Sequence, residues 1–175
     1  MLTVALSGTA SAAPSPLDAT CAGPIHYTFD PPLQNTARET TITWSGTYSC
    51  FSTTLPSIGT WGGKYGGKVT TVTGCLQTQP QQVLAQGVVE NDKWYYVRED
   101  EPDGTSTLTG TVSTVPREDG TRTFVWTGTV TGGTWFSNDH FSGVGDYTSI
   151  TNLQLCATTG VPGTDGNSTI VIAPV

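Results

Sequence analysis

Two histidines, four cysteines, an acidic run and five scattered aromatic side chains are the places where this 175-residue chain has the means for chemistry. Imidazole is the commonest general base near neutral pH. His140 sits in Asn138-Asp139-His140-Phe141-Ser142, with an acid and a hydroxyl close by in the chain. Neighbours in a loop seldom point at one another, so it reads as a loop histidine without a catalytic role. His26 holds an even position in a segment whose apolar residues, Ile25, Tyr27 and Phe29, are odd, which sends its ring to solvent. There is no G-x-S-x-G, H-E-x-x-H or P-loop sequence. No catalytic residue is assigned, and the chain reads as a non-enzyme.

The densest acidic run, Glu99-Asp100-Glu101-Pro102-Asp103-Gly104, offers the oxygen donors that calcium prefers. It lacks EF-hand spacing, and Pro102-Asp103-Gly104 is good turn chemistry. The expectation is a solvated hairpin tip, with no metal and no cofactor. Aromatics carry the recognition reading instead. Trp94-Tyr95-Tyr96 and Trp135-Phe136 place rings on both faces of a strand, and Trp61 and Tyr65 lie in the glycine-rich stretch Gly59–Gly67, which reads as a bulged connector or, alternatively, a binding loop. A strand with both faces aromatic either has cover on both sides or exposes a ring. Trp61, Tyr65, Trp94, Tyr96 and Trp135 are therefore the candidate binding set, since Trp and Tyr anchor both protein interfaces and sugar rings.

Composition narrows the partners. The formal charge is −7 and charged residues are 12% of the chain, about half the usual ~25%. Polarity comes from 33 Thr and 13 Ser. An acidic chain without a basic cluster is a poor ligand for nucleic acid or anionic membranes. No apolar run approaches the ~20 residues of a membrane-spanning helix. Cys21, Cys50, Cys75 and Cys156 are even in number and form no C-x-x-C pair. That favours two disulfides in an oxidising compartment over a zinc site. Ala10-Ser11-Ala12 has the small-x-small pattern of a signal cleavage site, with the cut before Ala13. No Lys or Arg precedes Arg38, so residues 1–12 read as the remnant of a secretion signal whose true start lies upstream. Residues 13–175 then form one exported, extracellular domain.

Period-two alternation defines the strands that must position these residues. From Thr41 to Ser49 the even positions are apolar or Gly and the odd ones hydroxylated; Thr121–Thr131 behaves alike apart from Arg122 and Val125, and Leu108–Ser113 is a shorter copy. If both later segments turn even positions inward, even must pair with even. The hairpin loop then has odd length, built on Glu118-Asp119-Gly120, and Gly110 faces Gly128 while Val112 faces Trp126. The first hairpin pairs odd with even, so its register sum is odd; Cys21 with Cys50 gives 71, which sets Tyr27 opposite Trp44 and Phe29 opposite Ile42. Both cysteines then lie on the inner side at the open end of the hairpin, which selects Cys21–Cys50, and Cys75–Cys156 follows by elimination. Further strands are expected near 66–74, 82–90, 93–99, 146–155 and 168–173, with Asn91-Asp92 as a tight turn.

The order Cys21, Thr28 to Leu33, Arg38 to Cys50, Cys75-Leu76, Gly143 to Asp146 and Leu153 to Cys156 resembles the small secreted, Thr-rich, four-cysteine β-proteins of Streptomyces and related actinobacteria. The resemblance implies an exported actinobacterial β-protein and transfers no catalytic residue. The expected fold is all-β: an antiparallel β-sandwich of eight or nine strands with two disulfides, or alternatively a closed barrel. The expected function is a secreted, non-enzymatic interaction module. Its partner would be an extracellular protein or a polysaccharide, reached through the aromatic set or the N-terminal arm Ala13–Thr20. Carbohydrate or cell-wall binding is the alternative, and a small hydrolase the second alternative.

Overall fold

The computed structural model describes residues 18–54, 59–75, 82–96, 100–117, 122–147 and 151–175. The expected signal remnant, the tip Glu118-Asp119-Gly120, Glu99 and the first part of the N-terminal arm lie outside them. Eight strands run up and down in chain order: β1 (Ala19–Leu33), β2 (Arg38–Phe51), β3 (Thr60–Thr73), β4 (Gln82–Tyr95), β5 (Gly104–Pro116), β6 (Arg122–Gly133), β7 (His140–Tyr147) and β8 (Val161–Ala173). One short helix, α1 (Thr151–Cys156), precedes β8. All neighbours are antiparallel, as the alternation requires.

The sheet closes on itself. β1 pairs with β8 from Ala19↔Ile172 to Thr28↔Gly163, so the molecule is the alternative barrel rather than the sandwich. Closure leaves no sheet edge, but it demands sharply bent strands, and inward-facing glycines permit them. Gly110 lies opposite Gly128, where an added Cβ would stand 2.2 Å from Thr127 O and 2.1 Å from Thr109 O respectively. No residue with a side chain fits that approach.

The hairpin registers agree with the parity argument. Cys21 pairs Cys50, Tyr27 pairs Trp44 and Phe29 pairs Ile42; Val112 pairs Trp126. Both expected disulfides are formed, Cys21–Cys50 and Cys75–Cys156. The inner faces meet in a core of aromatic and branched side chains, while the outer faces carry hydroxyl rows such as Thr41–Thr70 and Thr109–Thr131, hydrogen-bonded at 2.9 and 2.8 Å.

Three expected elements differ. Asn91-Asp92 is no turn, because β4 runs unbroken: Asn91 pairs Gly66 and Thr107, Asp92 pairs Tyr65 and Ser106. Ladder partners on both sides outweigh the turn propensity of that dipeptide. The glycine-rich stretch around Trp61 and Tyr65 is strand β3, paired along its length with β2, and not a connector. Residues 151–156, expected as the end of a strand, are helical, and the helix carries Cys156 to its disulfide. Arg122, the exception in its alternating run, occupies an inward position as parity dictates. It is buried and donates to Gly74 O at 3.0 Å and Cys75 O at 2.5 Å, tying the 75–156 cap over one barrel end.

Candidate functional site

The aromatic candidates divide between inside and outside. Trp61, Tyr65 and Trp94 are buried in the barrel. Trp94 stacks on half-buried Trp135 at 6.5 Å, Trp61 meets Trp135 edge-on, and Phe136 packs edge-on against Trp94. Trp94 Nε1 donates to Ser106 Oγ at 2.9 Å, which in turn donates to Trp135 O. These rings plug the end opposite the disulfide cap and are core. Of the five, only Tyr96 is exposed, at 46%.

His140 is exposed whereas Asp139 is fully buried, so the two face opposite ways and form no dyad. His26 is exposed, as parity requires, and meets Asp165 at 2.6 Å on the surface. In the acidic run, Asp103 Oδ2 accepts the Tyr96 amide at 2.7 Å, and Asp103 N donates to Trp94 O, which is turn-closing geometry. No group of three metal-ligating side chains occurs among the described residues.

The outer wall of β3 and β4 gathers what the sequence scatters. Even positions of β3 and odd positions of β4 face outward, which brings Lys64, Lys68 and Lys93 onto one surface. These are all the lysines of the chain. Lys64 lies directly opposite Lys93, and its ammonium sits 4.8 Å from the centre of the Tyr95 ring. Like charges set opposite each other in a ladder are unfavourable. Two grooves run over this wall, of about 570 and 630 Å³. The first has Thr47, Lys64, Tyr95 and Tyr96 around a floor of Gly62 and Gly63. The second has Thr43, Lys68 and Asn91 around Gly66 and Gly67. Sequence reading missed this surface because Lys64 and Lys93 are far apart in the chain and become neighbours only through the β3–β4 register.

A second polar group lies inside. Even positions of β4 point inward, so Glu90 and Asp92 are each only 1% exposed. Trp44 Nε1 donates to Glu90 Oε2. Among the described residues no N–H or alcohol hydroxyl reaches Glu90 Oε1 or either Asp92 oxygen; the two carboxyls are hydrogen-bonded to each other instead. Burial, followed by mutual repulsion, raises the Glu90 carboxyl well above its usual range, and burial raises Asp92. Tyr48 and Tyr65, stacked at 3.9 Å, are also shifted up by burial and by nearby Glu90. The signal for this pair was in the sequence: the alternation Val88, Glu90, Asp92, Trp94 continues through the supposed turn.

Comparison with protein-family models, curated proteins and solved structures found no match to the chain.

Proposed function

We propose that this chain is an exported, non-catalytic binding domain whose β3–β4 outer wall holds an acidic extracellular polysaccharide. The lysine wall carries the reading: in a chain of charge −7, every lysine stands on one face, two of them opposed, beside tyrosine rings and glycine-floored grooves. Acidic groups of the polymer face the ammoniums, Tyr96 offers a ring for a sugar to stack on, and Thr43 and Thr47 supply hydroxyls. A polysaccharide suits this wall better than a protein, because protein hot spots need a desolvated apolar centre and the groove beside Tyr96 is bordered by Thr47, Ser49, Thr60 and Lys64. Export is supported by the two disulfides and the signal-like residues 1–12. Hydroxyls outside and aromatics inside suit a barrel standing in water, the reverse of the apolar outer band of a membrane barrel.

The test is retention on immobilised acidic polysaccharides beside neutral ones. Acidic polymers should retain the protein, less so as salt rises. Tyr96→Ala should weaken binding by about 2 kcal/mol, and the Lys64→Ala Lys93→Ala double variant should abolish the acidic preference, with unfolding midpoints near wild type. Equal retention on neutral polymers, or none on any, refutes the proposal.

A further inference from the structure

Between the plugged end and the capped end the barrel interior is not filled. A cavity of about 50 Å³ remains there, bounded by Trp44 with Trp126, Tyr48 with Tyr65, and Tyr27 with Phe124. Each couple is in ring contact, at centroid distances of 6.3, 3.9 and 5.2 Å. Glu90 is the acidic member of the lining, and no lining residue is basic. Its Oε1 is buried and meets no N–H or alcohol hydroxyl among the described residues, and Asp92, two residues along the same inward face of β4, is equally buried and shares a hydrogen bond with Glu90. A space of this size takes a few waters and is far below the ~300–1,000 Å³ of sites for larger organic ligands.

We infer that the barrel interior is a binding site for a small alkylammonium cation, caged by the rings of Trp44, Trp126, Tyr48 and Tyr65 and neutralised by Glu90. Aromatic faces carry negative quadrupole density, and cation–π attraction is strongest where the cation is desolvated. A buried acidic pair with no cationic partner in the lining is costly to ionise and keeps its protons while the cavity is empty; a bound cation lets Glu90 ionise by standing opposite its charge. A neutral apolar guest would leave that cost in place, and an anion would add to it. β7 bounds the cavity with Gly143, Val144 and Gly145. Val144 turns its side chain outward and is 44% exposed, so along this strand only backbone separates the cavity from solvent. The inference stands apart from the lysine wall, which faces the other side of the sheet.

Methylammonium, small enough for a cavity of about 50 Å³, is the probe, and methanol, of the same heavy-atom count and uncharged, is the control. Binding is followed by tryptophan fluorescence, since Trp44 and Trp126 line the cavity, and by the rise in unfolding midpoint that a native-state ligand produces, at matched ionic strength. Wild type should give a saturable response to methylammonium, with methanol binding at least about tenfold more weakly. Glu90→Gln should reduce affinity by a similar factor. Gly143→Ala provides a second variant with an intact fold: an added Cβ there meets Thr169 O at 3.4 Å and Ile170 at 3.5 Å, ordinary contact distances. Its methyl group points into the cavity and should abolish binding while leaving the unfolding midpoint near wild type. The inference is overturned if wild type gives no saturable response, so that the cavity holds water only. Equal binding of methanol, or undiminished binding of methylammonium by a folded Glu90→Gln protein, overturns it as well.

Discussion

A carboxyl group sealed among aromatic rings is cheaper to hold with its proton than without it, and this sets how the residues of the interior respond to pH. Glu90 and Asp92 are both raised, from ordinary values of 4.5 and 3.8, by burial above all. The titratable groups packed against them from β2 and β3 are Tyr48 and Tyr65, which are raised too and stay neutral through the acid and neutral range. Between the unfolded and folded titrations the native state therefore holds more protons, and stability falls as pH rises. Asp18 does the opposite. Its slight burial is outweighed by hydrogen bonds from Ser52, Thr53 and Thr54, which hold its carboxyl well below the usual range. Its contribution is present above the unfolded value of 3.8 and disappears as pH falls. The unfolding midpoint should thus be highest near pH ~4 and decline towards neutrality by the equivalent of about 1 kcal/mol or more. Calorimetry across that range checks this, and Glu90→Gln should flatten the decline on the neutral side. A midpoint that climbs from pH ~4 to ~8 in wild type would show that the pair ionises freely.

At the scale of elements, strand faces and hairpin registers were legible because side-chain period two leaves no freedom: a one-residue slip turns every hydrophobic group outward. That logic puts Cys21 and Cys50 on one inner face and Val112 against Trp126, the pairings the barrel adopts. Local propensity points the other way at two places. The dipeptide chemistry of Asn91-Asp92 suggests a turn, which hides the interior acidic pair, whereas the alternation continues through it. Glycine content suggests a connector over residues 60–65, although Trp61, Gly63 and Tyr65 form a buried odd-numbered face there. The glycines themselves make a sharp prediction. Gly128→Ala forces a Cβ to within 2.6 Å of Gly110 Cα as well as onto Thr109 O. It should cost about 1–3 kcal/mol, the range for forced overpacking, measured by urea unfolding. Gly143→Ala, with room for its methyl group, should cost much less.

For the whole molecule, alternation says which face is inside but not whether the outermost strands meet, so sandwich and barrel were equally compatible with the pattern. What decides between them is the β1–β8 seam, a pairing between residues at opposite ends of the described chain. The disulfides act on the same scale. Cys21–Cys50 closes a loop of 29 residues and Cys75–Cys156 one of 81, for which chain entropy gives roughly 3.5 and 4.5 kcal/mol. Replacing both cysteines of the longer loop with serine should therefore lower stability more than the same change in the shorter one. Urea unfolding of the two double variants reads the difference directly. The seam also has a consequence for the order of events at the ribosome. β1 is the first strand to emerge and β8 the last, so during synthesis the growing sheet carries two bare edges and cannot close. Such edges are templates for intermolecular pairing, and contacts this distant in sequence form slowly. Until β8 has been delivered, the unfinished sheet is a substrate for chaperones and for aggregation.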